Sequence, residues 1–417
     1  MNKSNILKEP LEYLKAFAKW LAISLGVGLV VGVLGSIFHM SVEYATEMRG
    51  EYPFLVYFLP IGGLVIVAVY HRFKGNEHIN TNLVLEAVRD NSKIPLIMVP
   101  LIYIGTCITH LFGGSAGREG AALQLGGSLG YNIGRLLKLK NSDMRVIIMA
   151  GMGSAFAAFF GTPLTAAVFS LEVVSVGMFN YAGFLPCIVS SLTAFGVSRL
   201  FGITPVHFAL ADVSAFNAGN AVRVAVLAVL CALVCILFCR VMEKSDDVME
   251  KLFHNAYVRV AAGGLVIILL TVILGTNDYN GAGMHVIERA MAGEARFYDF
   301  ALKLLFTAIT LGAGFKGGEI VPAFFVGSTF GCAVSGLLGL SPSFGAAIGF
   351  VSLFCGVVNC PVASLLLAVE VFGTEGLLLF AICCGVSYMM SGYCGLYRSQ
   401  QILYSKLESL RIDINAK

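Results

Sequence analysis

Two stretches decide how this chain is read: Gly117–Ser128, GREGAALQLGGS, and Gly317–Ser328, GGEIVPAFFVGS. At an offset of 200 residues they match at Gly117/Gly317, Glu119/Glu319, Gly127/Gly327 and Ser128/Ser328. A second pair keeps nearly the same spacing. Pro163–Glu172 reads PLTAAVFSLE and Pro361–Glu370 reads PVASLLLAVE, each ending in a glutamate. Charged residues recurring in this way imply an internal repeat. In a transporter, repeated halves place the substrate site near the midplane, where helix starts meet.

The surroundings of these stretches are apolar. Of 417 residues, 57% are hydrophobic and 13% charged, against roughly 25% charged in an ordinary soluble domain. Ile94–Gly117 carries no acid, lysine or arginine, and Val146–Ser198 carries only Glu172. A spanning helix needs about 20 apolar residues. The expected fold is therefore an all-α polytopic membrane protein built from two repeated halves. Glycines and prolines interrupt the runs, which predicts many short, tilted and broken helices. The charged stretch Arg240–Arg259 divides the chain. It predicts an N-terminal half over 1–240 and a C-terminal half over 241–417, with no appended soluble domain. Lys3, Lys8, Lys15 and Lys19 favour a cytoplasmic N-terminus.

A net charge of +3 gives no case for nucleic-acid binding. The eleven cysteines form no CxxC pair and read as small buried hydrophobes. No metal or cofactor motif is present, and no enzyme is expected. Gly113–Gly117, GGSAG, has the letters of a nucleophile elbow around Ser115, but no strand precedes it.

The chemistry concentrates in two acids. Glu119, between Arg118 and Gly120, opens a predicted helix over Ala121–Leu137, whose positive N-terminal end suits an anion. A carboxylate there can occupy the anion position and leave it when protonated. Glu319 repeats the arrangement, with Lys316 nearby to compensate its charge and Pro322 in the first turn, so the N–H groups of Glu319 and Ile320 face a bound ion. The alternative for each is a helix cap neutralised by the neighbouring cation. Glu172 and Glu370 follow apolar helices and read as structural, either capping or pairing near an interface. Tyr404, in SQQILYSKLESL, reads by itself as an interface anchor.

With GREG at Gly117, GGEIVP at Gly317 and LYSKL around Tyr404, the chain resembles the CLC family of anion channels and transporters along essentially its whole length. The resemblance implies that the two halves form an inverted repeat of broken helices, and that the protein is a homodimer with one pore per subunit. It makes Glu119 the gating, proton-carrying glutamate, and puts Tyr404 and the backbone N–H groups of Gly120, Glu319 and Ile320 on the anion. Glu319 itself, in a GGE-x-x-P setting, and Val173, where chloride/proton exchangers carry an acid, resemble the fluoride-exporting subclass. The first anion loop falls on HINTNLV, His78–Val84, with Asn80 the better match and Thr81 the other register. The function implied is proton-coupled fluoride export across a bacterial inner membrane, with fluoride, protons and the lipid bilayer as partners. A chloride or nitrate transporter, or a passive channel, is the alternative.

Overall fold

A computed structural model describes residues 8–73 and 80–417; His78 and Ile79 of the first loop lie outside these ranges. The chain begins with α1 (Lys8–Glu51), α2 (Leu59–Arg72), α3 (Thr81–Asp90) and α4 (Met98–Leu111). Next come α5 (Glu119–Leu136), α6 (Asn141–Phe160), α7 (Pro163–Glu172), β1 (Ser175–Val176) and α8 (Phe184–Leu200). The second part holds α9 (Ala218–Leu252), α10 (Ala256–Leu274), α11 (Met284–Met291), α12 (Asp299–Gly312) and α13 (Ile320–Ser335). It closes with α14 (Pro342–Val358), α15 (Pro361–Phe372), α16 (Leu377–Met390), β2 (Gln401–Tyr404) and β3 (Arg411–Asn415).

Among the described residues, seven helices are long and apolar enough to cross a membrane, and the protein is multi-pass. Lengths vary as the interrupted runs predict. At 44 residues, α1 extends ~66 Å, more than twice the ~30 Å hydrocarbon core. It packs Val27, Val31, Phe38 and Val42 inward and leaves Leu25, Leu29, Val33 and Met40 exposed, the pattern of a lipid-facing helix. At 10 and 12 residues, α7 and α15 are too short to span.

Among the most buried helices are α6 and α14, each against a partner that begins at one of the two acidic loops, α5 and α13. Backbones touch at glycine in both pairs. A methyl group on Gly151 would meet Gly126 O at 2.2 Å, and one on Gly349 would meet Gly327 O at 2.0 Å. Without a solvent-driven hydrophobic effect inside lipid, such close approach is what joins helices.

The repeat is also visible in two reciprocal caps. Glu172, at the end of α7, accepts from the N–H groups of Val362 (3.2 Å) and Ala363 (2.9 Å) at the start of α15. Glu370, at the end of α15, accepts from Leu164 (2.9 Å) and Thr165 (2.8 Å) at the start of α7. Each carboxylate satisfies helix-end donors that lipid cannot. Glu172→Ala is expected to cost about 2 kcal/mol, read as a lower unfolding midpoint in detergent. An unchanged midpoint would mean these amides have other acceptors.

One expectation needs correction. The division at 240/241 falls inside α9, which runs unbroken for 35 residues. Its charged stretch is built of good helix formers and carries an Arg240–Glu243 pair at 3.6 Å. The helix ends only at Leu252, and after the short loop Phe253–Asn255 the side chain of Asn255 caps α10. A small three-stranded sheet accompanies the helices: β2 pairs parallel with β1 and antiparallel with β3, burying Val176, Ile402 and Ala416.

Candidate functional site

The two acidic loops cross one another. Gly117 N–H donates to Gly318 O at 2.7 Å, and Gly318 N–H to Gly117 O at 2.8 Å. Immediately after this bridge, α5 and α13 begin, so their N-terminal ends meet between the halves. Only glycine allows the approach: a methyl group on Gly318 would stand 2.5 Å from Gly120 N, and one on Gly317 2.4 Å from Ala116 Cβ. First-turn N–H groups have no intrahelical acceptor and carry partial positive charge. Gly120 and Ile320, both buried, lie in these first turns.

Glu119 is 2% exposed. Its Oε2 accepts from the Arg118 N–H at 3.0 Å, and its Oε1 lies 3.8 Å from Arg118 Nε. The carboxylate is thus folded back over the start of its own helix, where an anion would be held. Glu319 is the residue before α13 and comes to the same point from the other half. A methyl group on Gly120 would find Glu319 Oε2 at 3.8 Å and Glu319 N at 3.9 Å. Among the described residues, no cation stands within ion-pair distance of Glu319. Lys316 places its Nζ over the Tyr70 ring, 4.6 Å from the centroid, so its compensation of Glu319 is not a direct pair.

A cavity of about 240 Å³ reaches Glu319, lined there by Asn80, Thr81, Gln124, Lys316 and Tyr397. Glu119 does not line it. Asn80 caps α3, its Oδ1 accepting from Leu83 N–H at 3.3 Å. Thr81, buried, accepts from Gln124 Nε2 at 3.1 Å. The two candidate residues of the first loop therefore share one wall.

Tyr404 is not in this cavity. It is half exposed on β2 with its ring against Gly177, because a break in the β2–β3 register between Ile402 and Tyr404 turns Tyr404 out while Ile402 stays buried. Tyr397 lines the cavity instead, and its buried Oη has no hydrogen-bond partner among the described residues. An orphaned buried hydroxyl beside a polar cavity calls for a ligand or water. The segment after Tyr397 is fixed to α3. Ser399 N–H donates to Asn82 Oδ1 at 3.0 Å, Ser399 Oγ bonds Glu86, and Arg89 Nη1 donates to Ser399 O at 3.1 Å. The sequence signal for Tyr397 was its place at the close of the long uncharged stretch, directly before Arg398.

The remaining candidates resolve simply. Ser115 lies between α4 and α5, its Oγ 3.0 Å from Thr307 Oγ1, with no strand before it, so the elbow reading has no setting. Val173 is fully buried. The loop above the crossing is held from outside the spans. Burial would raise the Asp278 carboxyl, but hydrogen bonds from Arg289 (3.0 Å) and His285 (3.1 Å) keep it below its ordinary range. Nearby, Gly281 N–H donates to Gly114 O and Asn280 Nδ2 to Gly113 O.

Comparison with known proteins agrees with this geometry. A family model described as voltage gated chloride channel matches residues 62–392. A chloride/fluoride channel protein of Pseudomonas syringae pv. tomato is 36% identical over 405 residues, 95% of this chain and 90% of that protein. A proton/chloride exchange transporter of Vibrio cholerae is 24% identical over 86% of this chain and 83% of its own. Among solved structures, a CLC-type fluoride/proton antiporter superposes with a TM-score of 0.89 at 31% identity, over 93% of this chain and 98% of that one. A slow cyanobacterial chloride/proton antiporter shares the fold, with a TM-score of 0.78 at 21% identity over 89% and 94%.

Proposed function

The chain belongs to the voltage-gated chloride channel family, and from that premise we propose that it is a fluoride/proton antiporter. It would export fluoride through the inner membrane of a bacterium, as a homodimer with one pathway in each half-dimer. The observation that carries this reading is the meeting of two carboxylates, Glu119 and Glu319, at two converging helix starts. A carboxylate over free N–H groups is a stand-in for the anion, and protonation releases it. Glu119 would alternate between closing the pathway as an anion and leaving it as an acid, so that each proton carried in is matched to fluoride carried out. Glu319 offers a second protonatable group in a chain with valine at 173.

Fluoride is small and strongly hydrated, so a site for it must replace water with firm donors. The Asn80 amide, the Tyr397 hydroxyl and the first-turn N–H groups of Gly120, Glu319 and Ile320 supply them, with Thr81 joined to the same wall through Gln124. The names of two relatives, a chloride/fluoride channel protein and a fluoride/proton antiporter, support the choice of ion. The first is named a channel, which keeps passive conduction as the second reading.

Proteoliposomes decide between them. Fluoride-loaded vesicles are expected to take up protons as fluoride leaves, with chloride moving at least roughly tenfold more slowly. Equal rates for the two anions would sink the fluoride assignment, and fluoride leaving without proton uptake would leave a channel. In the same assay, Tyr397→Phe is expected to slow exchange roughly tenfold, about 1.4 kcal/mol for one hydrogen bond to an anion. Tyr404→Phe is expected to match the wild type.

A further inference from the structure

Two acids of α9, Glu243 and Asp246, line the outer part of the cavity that ends at Glu319. Three residues apart, they share one helix face. Their surroundings differ. Glu243 is engaged, with Arg240 Nη1 at 3.6 Å and Arg398 Nη2 at 3.8 Å. Asp246 has no hydrogen bond and no ion pair among the described residues. Facing it electrostatically are Arg398, Lys316 and Arg259, and the acids Asp247 and Glu319. The C-terminal part of α9 mixes Arg240, Lys244 and Lys251 with Glu243, Asp247 and Glu250, and Lys417 lines the same mouth; the lysines and arginines favour the cytoplasmic side for it.

A carboxylate in the mouth of an anion pathway repels what the pathway carries. The three cations offset that repulsion, but they do not explain why an acid is there. Its position does: Asp246 is an uncommitted carboxylate between bulk water and Glu319, within one continuous water-sized space. We propose that Asp246 is the proton station between Glu319 and the cytoplasm, an inference that rests on the antiport reading above. In the step assigned to it, the O–H bond of the Glu319 acid breaks and its proton passes through cavity water to the Asp246 carboxylate. Glu319 is left as a carboxylate and Asp246 as an acid. Asp246 then gives the proton to water at the mouth and returns to its starting form. Protons entering from outside thus leave along the wall by which fluoride arrives.

The test uses the full-length protein in proteoliposomes, reading fluoride-driven proton uptake and its dependence on the pH at the cavity mouth. Asp246→Asn is expected to slow uptake roughly tenfold or more and to flatten that pH dependence; Asp246→Glu is expected to recover the rate to within about threefold, and Asp247→Asn, which removes the same charge one residue away, to stay within about twofold of wild type. Asp246→Asn running at the wild-type rate would overturn the proposal. So would an equal loss in Asp247→Asn, which would make the effect one of net charge, or failure of Asp246→Glu to recover. Failure of the antiport reading looks different, because it appears in the wild type, as fluoride efflux with no proton uptake.

Discussion

Glu119→Gln is expected to bring fluoride-driven proton uptake to background, a loss of at least ~100-fold. The side chain keeps its size and can still accept from the Arg118 N–H. What it loses is both states the cycle uses. An amide carries no negative charge to compete with an anion at the start of α5, and it holds no exchangeable acid proton. Any fluoride that still crosses should do so without protons, so coupling, rather than fluoride movement, is the quantity to measure. Proton uptake surviving in this variant would remove Glu119 from the mechanism. Glutamine also fills the buried space that Glu119 occupies without a change of volume. It is therefore expected to fold, and the loss is a loss of chemistry.

Gly349→Ala is expected to prevent folding. The added methyl carbon would sit 2.0 Å from Gly327 O and 2.9 Å from its carbonyl carbon, both backbone atoms of α13 that cannot turn aside. Separating α13 from α14 would also open the Gly331–Gly345 contact, where a methyl group on Gly331 would meet Gly345 O at 2.1 Å. Overpacking of this kind costs about 3 kcal/mol or more. Gel filtration after detergent extraction is expected to show aggregate in place of a single species. Gly385→Ala, at a glycine with open space around it, is the control and is expected to behave as wild type. A monodisperse Gly349→Ala protein would show that α13 and α14 can separate at small cost.

Much of this was legible in the sequence. The membrane class followed from composition, and the family from GREG and GGEIVP, because a charged residue framed by glycines in an apolar run has few structural explanations. The glutamates at 172 and 370 read as structural, capping or pairing, and they are caps; that each caps the other's helix depends on contacts across about half the chain, which no local pattern carries. Tyr404 misled because LYSKL resembles a motif in letters, whereas its position is set by strand pairing with Ser175–Val176 and Arg411–Asn415. The domain division failed for a related reason. Charge density suggested a surface connection, but Lys, Glu and Arg extend a helix as readily as they end a membrane span. Asp246 carried no signal at all, since an aspartate beside another on a polar stretch is ordinary until the cavity shows where it leads.

The reciprocal caps bear on how the protein is made. Glu370 closes the start of α7, and it is synthesised 206 residues after Leu164. At about 5–20 residues per second, the ribosome delivers it roughly 10–40 s later. Through that interval the first half sits in the bilayer with α7's leading amides unmatched, so it cannot reach its final form on its own. Assembly is therefore ordered by translation: the first half waits as an intermediate, and the arrival of α15 completes both halves in one event.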